Sequence, residues 1–124
     1  MAFTVDDNGN ITLIQGDSGE YTVTGIEVDT EANYATYFAI QDGNRKPVGN
    51  EVQSLISSGM STFTITANLT DNLTVPADQD NETYYFGIKL VNTVTDEEDT
   101  LMIAGGTYGT LNTITVYPRK VVGA

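Results

Sequence analysis

The sequence predicts an all-β domain. Two runs carry that prediction: Tyr34-Ala-Thr-Tyr-Phe-Ala-Ile-Gln41 and Thr83-Tyr-Tyr-Phe-Gly-Ile-Lys-Leu-Val91 alternate large apolar residues with small or polar ones. A period of two is what a strand with one buried face requires. Around them lie further runs rich in Thr, Tyr and Val, broken by Gly, Asn and Asp, which accept turn dihedrals. The third observation is compositional: the chain has no His, no Cys and no Trp, so neither imidazole nor thiolate is at hand for catalysis.

Taken in order, Phe3-Thr-Val5 and Ile11-Thr-Leu13 flank Asp6-Asp7-Asn8-Gly9-Asn10. Asn-Gly between alternating segments predicts a hairpin, because both residues tolerate positive φ. Gly16-Asp17-Ser18-Gly19 turns the chain into Glu20-Tyr-Thr-Val-Thr24, with Tyr21 and Val23 on one face. That strand is expected to run on, bent at Gly25, through Ile26 and Val28. The next places Tyr34, Thr36, Phe38 and Ile40 on one side and ends in the loop Asp42-Gly43-Asn44-Arg45-Lys46-Pro47. From Asn50 to Ser58, Val52, Leu55 and Ile56 fit a short helix, whereas Val52, Ser54 and Ile56 fit a strand. Strand is preferred because every neighbour is one.

Phe63, Ile65, Ala67 and Leu69 alternate as a further strand, and Leu73, Val75 and Pro76 suggest a compact connector with one helical turn. Tyr84, Phe86, Ile88 and Leu90 form the second strong inward face, before the acidic turn Asp96-Glu97-Glu98-Asp99. Leu101 and Ile103 continue after it, and a flexible Ala104-Gly105-Gly106-Thr107-Tyr108-Gly109-Thr110 segment leads into a last strand from Leu111 to Tyr117. Pro118 ends that strand because it has no N–H for a ladder. The expected core is Phe38, Ile40, Phe63, Ile65, Phe86, Ile88, Ile114 and Val116. Tyr37-Phe-Ala-Ile40 and Tyr85-Phe-Gly-Ile88 are similar, but their surroundings do not align, as expected of two central strands under one packing demand. Short strands with turns at intervals of roughly 8–12 residues describe an immunoglobulin-like sandwich or a small barrel.

At 124 residues the chain fits one domain, expected to span 1–118 with a basic and apolar tail at 119–124. Seventeen Asp and Glu against five Lys and Arg give a net charge of −12, which repels phosphate backbones and anionic lipid. Nucleic acid and membrane are therefore not expected partners. Charged residues make up only 18% of the chain, below the ~25% of an average soluble protein, so Thr, Asn, Ser and Gln must supply much of the polar surface. The opening Met-Ala-Phe-Thr-Val-Asp-Asp lacks the basic and apolar regions of an export signal, and no run nears the ~18 apolar residues of a membrane span.

Few constellations could carry chemistry. Gly16-Asp17-Ser18-Gly19 looks like the nucleophile segment of trypsin-type proteases, but Glu20 and Tyr21 follow it and no imidazole exists to take the serine proton. A β-turn explains it better. Asp78, Asp80, Glu82, Glu97 and Glu98 could be paired for glycoside hydrolysis, yet all fall in predicted turns. The same clusters suit calcium chemically, but none follows the pattern of a calcium-binding loop. Asp96 to Asp99 are better explained as a solvated edge that discourages strand addition. Tyr34, Tyr37, Tyr84, Tyr85, Tyr108 and Tyr117 could form a sugar platform, although packing accounts for tyrosines on strands more simply. Asn10, Asn68, Asn72 and Asn81 begin Asn-x-Thr triplets, chance matches in a chain so rich in both residues. No enzyme activity, cofactor or metal is expected. Arg45 and Lys46 in one loop, and Arg119 and Lys120 with Val121 and Val122 after the last strand, are the expected assembly contacts. There an acidic neighbour or a second copy could bind.

Three segments resemble immunoglobulin-like β-sandwich modules of tailed-bacteriophage structural proteins, including the N-terminal domains of upper baseplate proteins. Ile11-Thr-Leu-Ile-Gln-Gly-Asp-Ser18 is similar to an opening strand running into Gly-Asp-Thr or Gly-Asp-Ser. Leu73 to Val75, leading to Tyr84-Tyr-Phe-Gly-Ile-Lys-Leu90, looks like the module's tyrosine-rich later strand, and Asn112-Thr-Ile-Thr-Val-Tyr-Pro118 like its closing strand. Baseplate proteins continue into a long second region, and this sequence stops at Ala124. The resemblance implies an antiparallel immunoglobulin-like sandwich and a non-enzymatic virion component, of the tail, baseplate or capsid-decorating kind. Its expected partners are other virion proteins or copies of itself, as a homo-oligomer or in many copies. It would be made in the host cytoplasm and located on the virion. The alternative is a module that binds a host-surface glycan or protein.

Overall fold

Alternation of apolar and polar residues becomes pairing in the computed structural model, which describes residues 3–101 and 112–119. The strands are β1 (Phe3–Val5), β2 (Ile11–Ile14), β3 (Gly19–Val23), β4 (Tyr34–Gln41), β5 (Val52–Leu55), β6 (Ser61–Ile65), β7 (Glu82–Asn92), β8 (Glu98–Leu101) and β9 (Asn112–Tyr117). A single helical turn, α1 (Ala67–Thr70), follows β6. The fold is all-β. A seven-stranded sheet runs in the order β1-β2-β9-β7-β4-β5 with β8 also against β7, and β3 and β6 form a second sheet. Opposite β4, the edge of β7 is shared: β9 pairs with Glu82 to Phe86 and β8 with Ile88 to Val91.

The two sheets meet across one aromatic cluster. Phe38 and Phe86 come from neighbouring strands of the large sheet and stack with centroids 4.7 Å apart. From the small sheet, Tyr21 meets Phe86 edge-on at 5.2 Å and Phe63 meets Phe38 at 5.6 Å. All eight expected core residues are buried. The two similar tetrapeptides prove to be each other's partners: in the antiparallel β4–β7 ladder Phe38 lies opposite Ile88 and Ile40 opposite Phe86. Each aromatic ring therefore has an aliphatic cross-strand neighbour, a favourable pairing on a packed sheet face.

The structure departs from the sequence expectations in several places. Pairing is not antiparallel throughout, because β2 runs parallel to β9 from Ile11↔Ile114 to Ile14↔Tyr117. Alternation fixes which face of a strand is buried but not the direction of its neighbour. Strand β3 ends at Val23, with Gly25 at φ +75°. Ile26 leaves the ladder, donates its N–H to the Gly59 carbonyl at 3.0 Å and packs with Ile56 and Leu90 in a second small cluster. Ala67 and Leu69 do not extend β6, because the Thr66 hydroxyl accepts the Leu69 N–H at 3.2 Å and caps α1. The helical turn thus precedes Leu73. In the first hairpin only Gly9 adopts positive φ; the Asp6 carboxylate instead accepts the Asn8 and Asn10 N–H groups, each at 2.9 Å. The expectations for Ile103, for 104–110, for Leu111 and for Lys120, Val121 and Val122 fall outside the described residues.

Candidate functional site

Ladder register places the expected basic contacts at one end of the large sheet. Gln41 at the end of β4 lies opposite Tyr85, Val116 opposite Glu82 and Tyr117 opposite Ile14, so the loop after β4 and the end of β9 emerge on the same side. In that loop the Asp42 carboxylate accepts the N–H groups of Asn44 at 2.8 Å and Lys46 at 3.0 Å, and the Asp42 N–H donates to the Lys46 carbonyl at 2.9 Å. This tight turn holds Arg45 at φ +66° and presents Arg45 and Lys46 to solvent.

Arg119 is built into a corner of the fold. Its guanidinium donates to the Gln15 carbonyl at 3.2 Å and stands 3.8 Å from the Asp71 carboxylate. Gln15 donates its side-chain amide to the Asp71 carbonyl and its N–H to the Tyr117 carbonyl, both at 2.9 Å. Gly16, at φ +89°, lies beneath the guanidinium, where a Cβ would collide with it. The corner ties the ends of β2 and β9 to α1. Among the described residues no ion pair links Arg119 to the Arg45 loop.

The acids do not converge. Asp78 and Asp80 are exposed, Glu82 accepts its neighbour's N–H, Glu97 accepts the Thr95 hydroxyl and Glu98 faces Lys89. Among the described residues no three His, Cys, Asp or Glu side chains are grouped to hold a metal ion. Ser18 is exposed in a turn closed by the Asp17 N–H on the Ile14 carbonyl at 3.0 Å and by Thr70, whose hydroxyl donates to the Asp17 carbonyl at 2.7 Å. The turn has a structural use.

The tyrosines are likewise dispersed. Tyr84 is buried and donates its hydroxyl to the Thr74 carbonyl at 2.7 Å. Tyr34 packs against the Ile26 cluster. Tyr37 and Tyr85 lie half-buried on the outer face of the large sheet, Tyr117 is exposed, and Tyr108 is outside the described residues. Tyr21 donates to the Gly9 carbonyl at 2.8 Å, and burial, helped by the charge of Asp6, pushes its hydroxyl up to about 12.

Two features escaped the sequence. Lys89 stands on the outer face between Glu51 at 3.0 Å and Glu98 at 3.8 Å, 5.5 Å above the Tyr37 ring. The hydrogen bond from Glu51 does most to raise its pKa above that of an ordinary lysine. The register that joins Lys89 to Tyr37 and Thr100 gathers this group, and no local motif announces it. The second is a groove of about 450 Å³ between β5, β6 and α1, with Val52 and Leu69 among amide and hydroxyl side chains. No protein-family model matches the chain, and no curated protein matches it either.

Proposed function

We propose that the chain is a non-enzymatic immunoglobulin-like β-sandwich module of a tailed-bacteriophage particle, held there by protein–protein contacts. The observation that carries this is the β2-β9-β7 ladder. The three segments that resemble phage modules, far apart in sequence, are neighbours in it. Two further features support the immunoglobulin-like topology. The small β3–β6 sheet faces β9-β7-β4, and Tyr84, near the start of β7, returns its hydroxyl to the chain ten residues upstream, as the tyrosine corner of such sandwiches does.

The surface chemistry agrees with a building block. Arg119, Asp42 and Lys89 are each occupied by intramolecular partners, which fix loops and strand ends in place. Deleting the coding sequence and complementing it in trans tests the proposal: particles made without the chain should lack a regular feature and regain it on complementation. Complete particles of unchanged composition would refute it.

A second reading, recognition of a host-surface glycan, draws on the outer face of the large sheet. There Tyr85 and Tyr37 stand on either side of the small pair Ala39 and Gly87, a shallow depression between aromatic rings. Saturable binding of a neutral oligosaccharide that is lost in Tyr37→Ala and Tyr85→Ala would favour it.

A further inference from the structure

The unpaired strand edges of this protein are not alike. Natural sheets blunt exposed edges with charge, proline, bulges or short length, because a bare edge templates pairing with another chain. Strand β8 carries Glu98 and Asp99, β3 carries Glu20, and the three-residue β1 runs directly into Asp6-Asp7. Strand β5, the last in the order of the large sheet, has none of these devices. Its sequence, Val52-Gln53-Ser54-Leu55, contains no charge and no proline, and Leu55 is 71% exposed upon it. The one acid beside it, Glu51, is paired with Lys89 at 3.0 Å. The groove along this edge is lined by Asn50, Gln53, Thr64, Asn68 and other uncharged groups.

We infer that β5 is the edge through which two copies of this chain associate, pairing antiparallel about a two-fold axis. Charge selects the occupant. Two molecules of net charge −12 repel wherever their acids meet, and the other free edges each bring acids together. At β5 they do not. An isologous contact is self-complementary: one strand supplies the N–H and C=O groups that the other lacks, the seven-stranded sheets of both copies become continuous, and Leu55 gains cover. The inference rests on the proposal that the protein works through protein contacts and supplies one of them. The two can fail separately, because particle incorporation does not require a dimer in solution.

Sedimentation velocity of the full chain over a concentration series, beside a Gln53→Lys/Leu55→Lys variant, tests it. Both side chains are exposed, so the variant should keep its circular dichroism spectrum and melting temperature. The expected result is a species of twice the chain mass for the natural protein and only monomer for the variant. Because the chain has no cysteine, Gln53→Cys gives an independent readout: mild oxidation should yield a covalent dimer, whereas Thr22→Cys on β3 should not. A natural protein that stays monomeric at every concentration overturns the inference, as does a dimer that survives the two lysines or equal crosslinking at both positions. Amides of 52–55 that become protected only when another particle protein is added would assign the edge to a different partner and would overturn it as well.

Discussion

Phe86 sits where the two sheets meet, so its removal should be felt by both. The side chain is wholly buried, stacked on Phe38 at 4.7 Å and met edge-on by Tyr21 at 5.2 Å. Truncating a buried Phe to Ala costs about 3–5 kcal/mol, and two aromatic contacts, each worth roughly 0.5–1.5 kcal/mol beyond area, place Phe86→Ala in the upper half of that range. A domain has only about 5–15 kcal/mol in total. For a chain of this length each kcal/mol moves the melting temperature by roughly 3–5 °C, so the expected fall is about 12–25 °C, or no folded protein at all. Thermal denaturation followed by circular dichroism measures it, and Phe86→Leu should fall between the two. A fall of less than about 5 °C would mean that the aromatic cluster is not the common core of both sheets.

Alkaline pH should destabilise the protein through Tyr21. Its hydroxyl titrates near 10 in the unfolded chain and about 12 in the folded one, so the native state binds more protons between those values; stability is full below pH 10 and declines by roughly 2–3 kcal/mol as pH rises towards 12. Denaturant midpoints across that window should lose this decline in Tyr21→Phe, and an unchanged slope would contradict the assignment. Tyr84→Phe removes the donor to the Thr74 carbonyl and should cost about 1 kcal/mol, seen as a lower melting temperature without change of fold. Arg119→Ala should cost less than about 1 kcal/mol, because its partners are solvent-exposed and screened, and 1 M salt should shrink the difference further.

The layers of the fold were legible because burial on one face leaves a period of two. Phe38, Phe86, Ile114 and their neighbours were placed correctly on that ground alone. Pairing was not legible: nothing local tells Ile11 that it will lie beside Ile114 or that the two strands run parallel. The same limit hid Lys89 between Glu51 and Glu98, which are brought together by two ladders. Leu69 was misplaced for a different reason. Alternation continues past Ile65, but the Thr66 hydroxyl competes for a backbone N–H and wins a helical cap. The basic residues were seen as a class, yet Arg119 proved to be a brace between Gln15 and Asp71, while Arg45 and Lys46 remain presented on a rigid turn.

Whether the protein is a part of a particle is most directly decided by where it travels. Particles from the source culture, treated with nuclease and detergent and banded on a density gradient, can be assayed for the chain by quantitative mass spectrometry. The expected result is comigration with the particle band, in several copies per particle, at a ratio that does not change through repeated banding. A chain that stays with the soluble proteins at the top of the gradient, while the known coat proteins band normally, would contradict the proposed function.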